Sequence, residues 1–228
     1  MIEKTVQEEQ SEQTSKPSLL GMIWSPGEQF EKVRHHPKVW IPLLVVTVLS
    51  LLSGWLMTIG PGFEEQLTGP GIDQENIDGV KLFAKITTVV GAGLSPAFGV
   101  LISSFIFWLI TKATSSEVTF KKLFSMNTYI TFISILGLLL NGVLLAILGG
   151  SIVSYTSIGS LIDADGGFGA FLNSIEIFSI WTMILTGIGL QITARWSKVL
   201  AWTITIIFFL LSVGFAVIGG MASTMTGM

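Results

Sequence analysis

Residues 24–56 read WSPGEQFEKVRHHPKVWIPLLVVTVLSLLSGWL, and they change from acids, bases and a histidine pair to a long apolar run. Three interpretations compete: a cleavable export signal, a catalytic site at the histidines, or the cytoplasmic approach to a membrane span. A secretory signal has a short basic start and an apolar core of about 7–15 residues. Here an acidic segment comes first, and the apolar run that starts at Val39 is longer. We therefore expect this run to be retained as a membrane span.

The composition favours a membrane protein with several spans. Of the 228 residues, 50% are hydrophobic and only 12% are charged, whereas about 25% charged residues is usual for a soluble domain. The net charge of −3 suggests no nucleic-acid partner. The absence of cysteine excludes disulfides, thiol catalysis and cysteine-based metal sites.

Five apolar segments each approach the roughly 20 residues that a helix needs to cross a bilayer. They are Val39–Ile59, Ile86–Ile110, Tyr129–Leu148, Ser174–Ala194 and Val199–Gly219. Because a chain of 228 residues is too small to enclose five such helices, lipid must solvate them. The predicted fold is all-α: a polytopic bundle of five transmembrane helices formed by residues 39–228.

The distribution of basic residues predicts the orientation in the cell membrane. All of them except Lys81 and Lys85 lie in the N-terminal segment, in the loop after span 2 or in the loop after span 4. The other two loops are acidic. Because positive charge gathers on the cytoplasmic side of membrane proteins, we expect a cytoplasmic N-terminus. An odd number of spans then places the C-terminus outside.

The segment before the first span is predicted to divide in two. Residues 1–17 form an acidic tail that we expect to be disordered in the cytoplasm, and residues 18–38 form an amphipathic segment. Within the latter, Ser25 and Glu28 match an S-x-x-E capping box, with Pro26 at the first helical position. A short helix is therefore expected after Ser25.

Phe30 and Val33 lie on one face of that helix, and basic residues surround them. This pattern predicts a helix on the anionic inner leaflet; a solvated helix that leads into the first span is the alternative. The residues predicted at the membrane surface are Phe30, Val33, Lys32, Arg34 and Trp40.

Few polar residues fall in or beside the apolar segments. Glu176 is the one acid, near the outer end of span 4. It either has a functional or helix-pairing role, since intramembrane carboxylates are usually functional, or it is solvated near the surface. Asn127, Asn141 and Gln191 are predicted to form hydrogen bonds between helices. Pro96, flanked by small residues in GLSPAFG, predicts a bent helix that a neighbouring helix can approach closely.

No catalytic set, cofactor site or metal site is predicted. His35 and His36 are adjacent, so on a helix they point about 100° apart and do not converge on one ion. The serine of GLSPAFG would need a base within hydrogen-bond reach. The predicted spans contain no lysine, histidine or aspartate to supply it. An enzyme is therefore not expected.

Three stretches resemble the YIP domain family, the Ypt/Rab-interacting membrane proteins. They are SPGEQFEKVRHHPKVWIPL, TFKKLFSMNTYITFISIL and, most specifically, IEIFSIWTMILTGIGLQITARWSKVLAWTI. The resemblance covers nearly the whole chain after about residue 18. It implies five spans, a cytoplasmic N-terminus and function through protein contacts rather than catalysis. The family often has aspartate where Glu176 stands.

Within the family the resemblance is to a Bacillus-type member linked to assembly of an ABC exporter and to defence against a peptide toxin.

Two functions fit these observations. The first is a non-enzymatic accessory protein that contacts membrane lipid, binds a membrane protein partner and helps that complex to assemble, with an ABC exporter involved in toxin or antimicrobial peptide resistance as the partner. The second is a small channel or transporter with a polar path that includes Glu176. The sequence leaves homo-oligomerisation open.

Overall fold

The structure is a computed structural model that describes most of the chain. The described residues are 16–59, 63, 67, 77–114, 116–148, 154–162 and 164–226. The predicted tail up to residue 15 and most of the acidic loop at 60–76 lie outside them. Within the described ranges the regular structure is helical, apart from an isolated antiparallel bridge between Ser157 and Glu176.

Eight α-helices and one short 3₁₀ helix, Ile158–Ser160, occur in the described part of the chain. The α-helices are α1 Gly21–Trp24, α2 Pro26–His35, α3 Trp40–Ile59, α4 Ile77–Ala113, α5 Phe120–Leu148, α6 Gly166–Ser174, α7 Ile177–Thr193 and α8 Lys198–Thr226.

Four of these helices, α3, α4, α5 and α8, are long and apolar enough to cross a membrane. Helix α7 is also apolar but has only 17 residues, the lower end of the length range for a transmembrane helix. The fourth span was predicted to begin at Ser174. The helix begins at Ile177 instead, because Glu176 pairs with Ser157 in the bridge.

Helix α4 is longer than the predicted second span and has Pro96 in its interior. Proline has no N–H to donate to the carbonyl four residues earlier, which belongs to Ala92. The hydroxyl of Ser95 donates to that carbonyl at 3.4 Å. A side chain therefore supplies a donor that the backbone lacks, as is common for proline in membrane helices.

The chain divides into two compact units, to which the long helices contribute different stretches. Unit 1 comprises Met1–Val46, Ala97–Ile133 and Thr182–Ile206. The largest fully buried side chains among the described residues all belong to it. They are Tyr129, Phe30, Met22, Leu123, Met126, Ile133, Leu185, Leu190, Val33, Val46, Val100 and Thr111.

The segment before the first span is part of this core. Phe30 and Val33 are completely buried. The hydroxyl of Thr193 donates to the carbonyl of Phe30 at 3.4 Å, and the Tyr129 hydroxyl donates to the carbonyl of Pro17 at 3.1 Å. The assignment of Phe30 and Val33 to the membrane surface is therefore corrected: their apolar face packs into the protein, where burial removes it from both water and lipid.

The predicted capping box does not form. The Ser25 hydroxyl donates backwards to the carbonyl of Gly21 at 3.3 Å and accepts from the amide of Gln29 at 3.3 Å. Glu28 instead forms an ion pair with Lys32 one turn later. Helix α2 nevertheless begins at Pro26, whose fixed φ suits a first helical position.

Unit 2 comprises Thr47–Pro96, Ser134–Trp181 and Ile207–Met228. Helices α3 and α4 approach closely in it, since a Cβ on Gly54 would lie 2.6 Å from the Cβ of Ala92 and a Cβ on Gly93 would overlap Leu51. Gly99 of GLSPAFG, in unit 1, faces open space instead, and so does Gly91 of unit 2. Only part of the small-residue pattern therefore serves packing within the chain.

Candidate functional site

Glu176 lies at the start of α7 and is 8% exposed. Its Oε2 accepts from the backbone N–H of Ser179 at 2.7 Å and from the Ser179 hydroxyl at 3.1 Å. Its Oε1 accepts from the hydroxyl of Thr156 at 2.6 Å. The carboxylate thus occupies the N-cap position, where a negative charge also interacts favourably with the helix dipole. The interpretation of Glu176 as a solvated carboxylate is therefore corrected.

Thr156 connects this carboxylate to helix α5. The side-chain amide of Asn141 donates to the Thr156 hydroxyl at 2.8 Å and to the carbonyl of Gly137 at 2.9 Å. The backbone N–H of Thr156 donates to the Asn141 carbonyl oxygen at 3.2 Å. The hydroxyl of Thr156 therefore accepts from Asn141 and donates to Glu176, which leaves each polar group with a partner.

A second set of bonds holds the loop around Thr156 against the segment before α7. The hydroxyl of Ser157 contacts the side-chain oxygen of Asn173 at 3.1 Å. The backbone N–H of Ile158 donates to the carbonyl of Ile175 at 3.0 Å. The backbone N–H of Ile177 donates to the backbone carbonyl of Thr156 at 3.3 Å. We call the six side chains of this region the Glu176 cluster: Asn141, Thr156, Ser157, Asn173, Glu176 and Ser179.

The sequence identified two members of the Glu176 cluster, Asn141 and Glu176, and missed the other four. Ser179 carried a local signal, since it lies three residues after Glu176, the spacing of an N-cap contact. Thr156 and Ser157 stand in the polar stretch SYTS, where nothing in one sequence distinguishes them from other loop residues.

The remaining polar candidates have other partners. Asn127 donates to the hydroxyl of Ser104 at 2.9 Å, and both side chains are buried in unit 1, so this bond joins α5 to α4. Gln191 was expected to bond another helix, but its amide donates to the carbonyl of Gly187 in its own helix at 3.1 Å.

Of the other predicted membrane-surface residues, the two cations form ion pairs within α2, whereas the tryptophan is exposed. Lys32 pairs with Glu28, and Arg34 pairs with Glu31 at 2.7 Å. Trp40 is 81% exposed at the start of α3, a position that suits the headgroup layer.

The described residues contain no group of three or more His, Asp or Glu side chains that could hold a metal ion. His35 lies 3.1 Å from the Arg34 guanidinium and 4.0 Å from the Glu31 carboxylate. In the Glu176 cluster, two hydroxyls and one backbone N–H donate to a single carboxylate, and no ion pair to Glu176 occurs among the described residues. This chemistry orders a loop and a helix end; it contains no paired nucleophile and base.

Comparison with known proteins places these features in a family. The profile of the Yip1 domain matches residues 20–220. The chain is also 34% identical over 230 residues to "Membrane protein YknW" of Bacillus subtilis (strain 168), an alignment that covers 99% of this chain and 100% of that protein. No solved structure matches. The resemblance seen in the sequence is thereby confirmed, and the chain belongs to the Yip1 domain family of membrane proteins.

Proposed function

We propose that the chain is a non-enzymatic membrane accessory protein, which binds a partner membrane protein through its apolar helices and assists assembly of that partner's complex. The observation that carries this proposal is the surface of α8. In its most apolar stretch 6% of the residues are buried, against 39% in α5. Apolar helix surface left uncovered by the chain itself is available to lipid or to another helix.

The glycines of α8 favour another helix as the partner for part of this surface. A Cβ on Gly214 or on Gly219 would meet nothing within 4 Å. In lipid, association of helices depends on close backbone approach at small residues rather than on hydrophobicity. Gly214 and Gly219 are five residues apart and point about 140° apart, so each leaves room for a second protein on its own side of the exposed helix.

The partner that the sequence resemblance implies is an ABC exporter involved in resistance to a toxin or antimicrobial peptide. Purification of the tagged chain in mild detergent tests this proposal, and we expect it to recover a transporter complex. Recovery of the tagged chain alone, under conditions that preserve a known membrane complex, would contradict it.

Substitutions on α8 sharpen the experiment. Gly214→Leu combined with Gly219→Leu should reduce recovery of the partner, because the larger side chains hold the second helix away. Gly91→Leu is the matched control, since Gly91 also faces open space but lies on α4. An equal loss with Gly91→Leu would count against α8 as the contact surface.

We further propose five crossings, with α7 as the fourth, a cytoplasmic N-terminus and an external C-terminus. The basic segments at the ends of α2, α4 and α7 support this orientation through the preference of positive charge for the cytoplasmic side. Reporter fusions to the C-terminus test it. A cytoplasmic C-terminus would mean an even number of crossings and would contradict the proposal.

A small channel or transporter is the second candidate, because the Glu176 cluster joins a buried carboxylate to Asn141 through the hydroxyl of Thr156. Buried carboxylates in membrane proteins often mark ion pathways. Flux into liposomes, measured for the wild-type chain and for Glu176→Gln, separates the two functions. A transporter should lose its flux on this substitution, whereas an accessory protein has none in either form.

A further inference from the structure

A cleft of about 270 Å³ opens in unit 1, apart from the Glu176 cluster. It is bounded by the end of α2, the loop between α4 and α5, and the turn after α7. Its polar lining includes Arg34, His35, Ser116, Glu117, Lys122 and Arg195. Three cationic side chains thus come together from three separate parts of the chain, with one carboxylate among them.

These cations are incompletely neutralised by the protein. Arg34 pairs with Glu31 at 2.7 Å, but its Nε is buried and has no hydrogen-bond partner among the described residues. Lys122 is half-buried, and neither Lys122 nor Arg195 has an ion pair in the described part of the chain. A buried donor without an acceptor lowers the stability of the protein unless a ligand or water supplies the acceptor.

Arg195 is also held in a strained conformation. Its φ is 57°, in the left-handed region that favours glycine, and it follows the last turn of α7, where glycine is the usual residue. The turn is anchored on both sides. The hydroxyl of Ser116 donates to the carbonyl of Ala194 at 2.9 Å, and the N–H of Trp196 donates to the carbonyl of Leu190 at 3.2 Å. The chain therefore keeps a guanidinium at the cleft where glycine would relieve the strain.

We propose that this cleft binds the phosphate group of an anionic phospholipid headgroup. Guanidinium and ammonium groups are the side chains that bind phosphate oxygens most strongly. The volume lies just below the lower end, about 300 Å³, of pockets for drug-sized ligands, which suits a headgroup. Trp40 and Val199 of the same unit are 81% and 78% exposed, as expected for residues at a membrane surface. Free inorganic phosphate presents the same oxygens and is the other source of this chemistry.

Four substitutions test the site. Lys122→Ala removes a cation from the cleft, and Lys121→Ala removes the same charge from the exposed neighbour that does not line it. Arg195→Gly removes the guanidinium while relieving the left-handed strain, so its thermal stability should match or exceed that of the wild type. Glu117→Gln removes the one carboxylate of the lining and should strengthen binding.

The measurement is native mass spectrometry of the full chain in detergent, titrated with phosphatidylglycerol and, for comparison, with phosphatidylcholine. We expect saturable binding of one phosphatidylglycerol molecule, weakened about tenfold by Lys122→Ala or by Arg195→Gly, since one hydrogen bond to a charged group is worth about that factor. Lys121→Ala should leave the affinity unchanged.

A parallel titration with inorganic phosphate distinguishes the sources. If phosphate binds saturably with the same dependence on Lys122 and Arg195 while the lipid does not, the phosphate site stands and its ligand is soluble. The proposal is overturned if neither ligand saturates, or if Lys121→Ala weakens binding as much as Lys122→Ala.

Discussion

Unit 1 and unit 2 differ in what fills their interiors. In unit 1, large apolar side chains are buried completely, and they come from the N-terminal helices, α3, α4, α5 and α7. In unit 2, the most buried apolar side chains, such as Leu145 and Ile135, keep 3% and 5% of their surface exposed. Its close contacts include the Glu176 cluster, the glycine approach of α3 to α4, and the approach of α8 to α6, where a Cβ on Gly220 would lie 2.6 Å from the Cβ of Ala170.

Unit 1 thus buries its apolar side chains more completely than unit 2 does. Unit 1 supplies its own core and encloses the segment before the first span. Unit 2 contains most of α8, where Leu210, Phe215 and Ile218 are exposed. Helix association in membranes relies on packing and hydrogen bonds rather than on water exclusion. Around α8, lipid or a partner should therefore supply the contacts that the chain itself does not make.

The largest effect should come from the core of unit 1. Phe30→Ala removes a fully buried aromatic side chain and should lower the free energy of unfolding by about 3–5 kcal/mol. Unfolding of the purified protein in mixed micelles measures it. Trp24→Ala, at a tryptophan that is 71% exposed, is the control and should change stability little. Similar small effects at both positions would show that α2 does not belong to the core.

An intermediate effect is expected in the Glu176 cluster. Glu176→Ala leaves Thr156 and Ser179 without their acceptor and should cost about 1–3 kcal/mol. Glu176→Gln should cost less, because an amide oxygen still accepts. Glu117→Ala, at an exposed carboxylate of unit 1, is the control in the same unfolding assay. If the two alanine variants are equally stable, the cluster does not stabilise unit 2.

The smallest effects should separate two glycines of unit 2. A Cβ on Gly54 would lie 2.6 Å from Ala92 and 3.2 Å from the backbone of Val89, so Gly54→Ala forces α3 and α4 apart and should cost about 1 kcal/mol or more. Gly219→Ala meets open space and should be neutral or stabilise by less than about 1 kcal/mol, since alanine favours the helix. Equal losses in thermal stability would contradict the assignment of an open face on α8.

Much of the fold could be predicted because it depends on local properties. Helix α3 differs from the predicted first span by one residue at its start, and α5 ends at Leu148 as predicted. The candidate site was harder to predict. Glu176 and Asn141 stood out as polar residues in apolar surroundings, but their link through Thr156 joins residues from three separate parts of the chain.

Residue order alone identifies the chain as a helical membrane protein of the Yip1 domain family, because hydropathy, helix length and motif similarity are properties of contiguous residues. The three-dimensional fold was needed to show that Phe30 faces the protein interior, that Glu176 is a buried helix cap, and which glycines touch a neighbour. The physical reason is that burial and hydrogen bonding depend on partners distant along the chain. Thr193 meets Phe30 and Thr156 meets Glu176, and periodicity in one segment carries no information about such pairs.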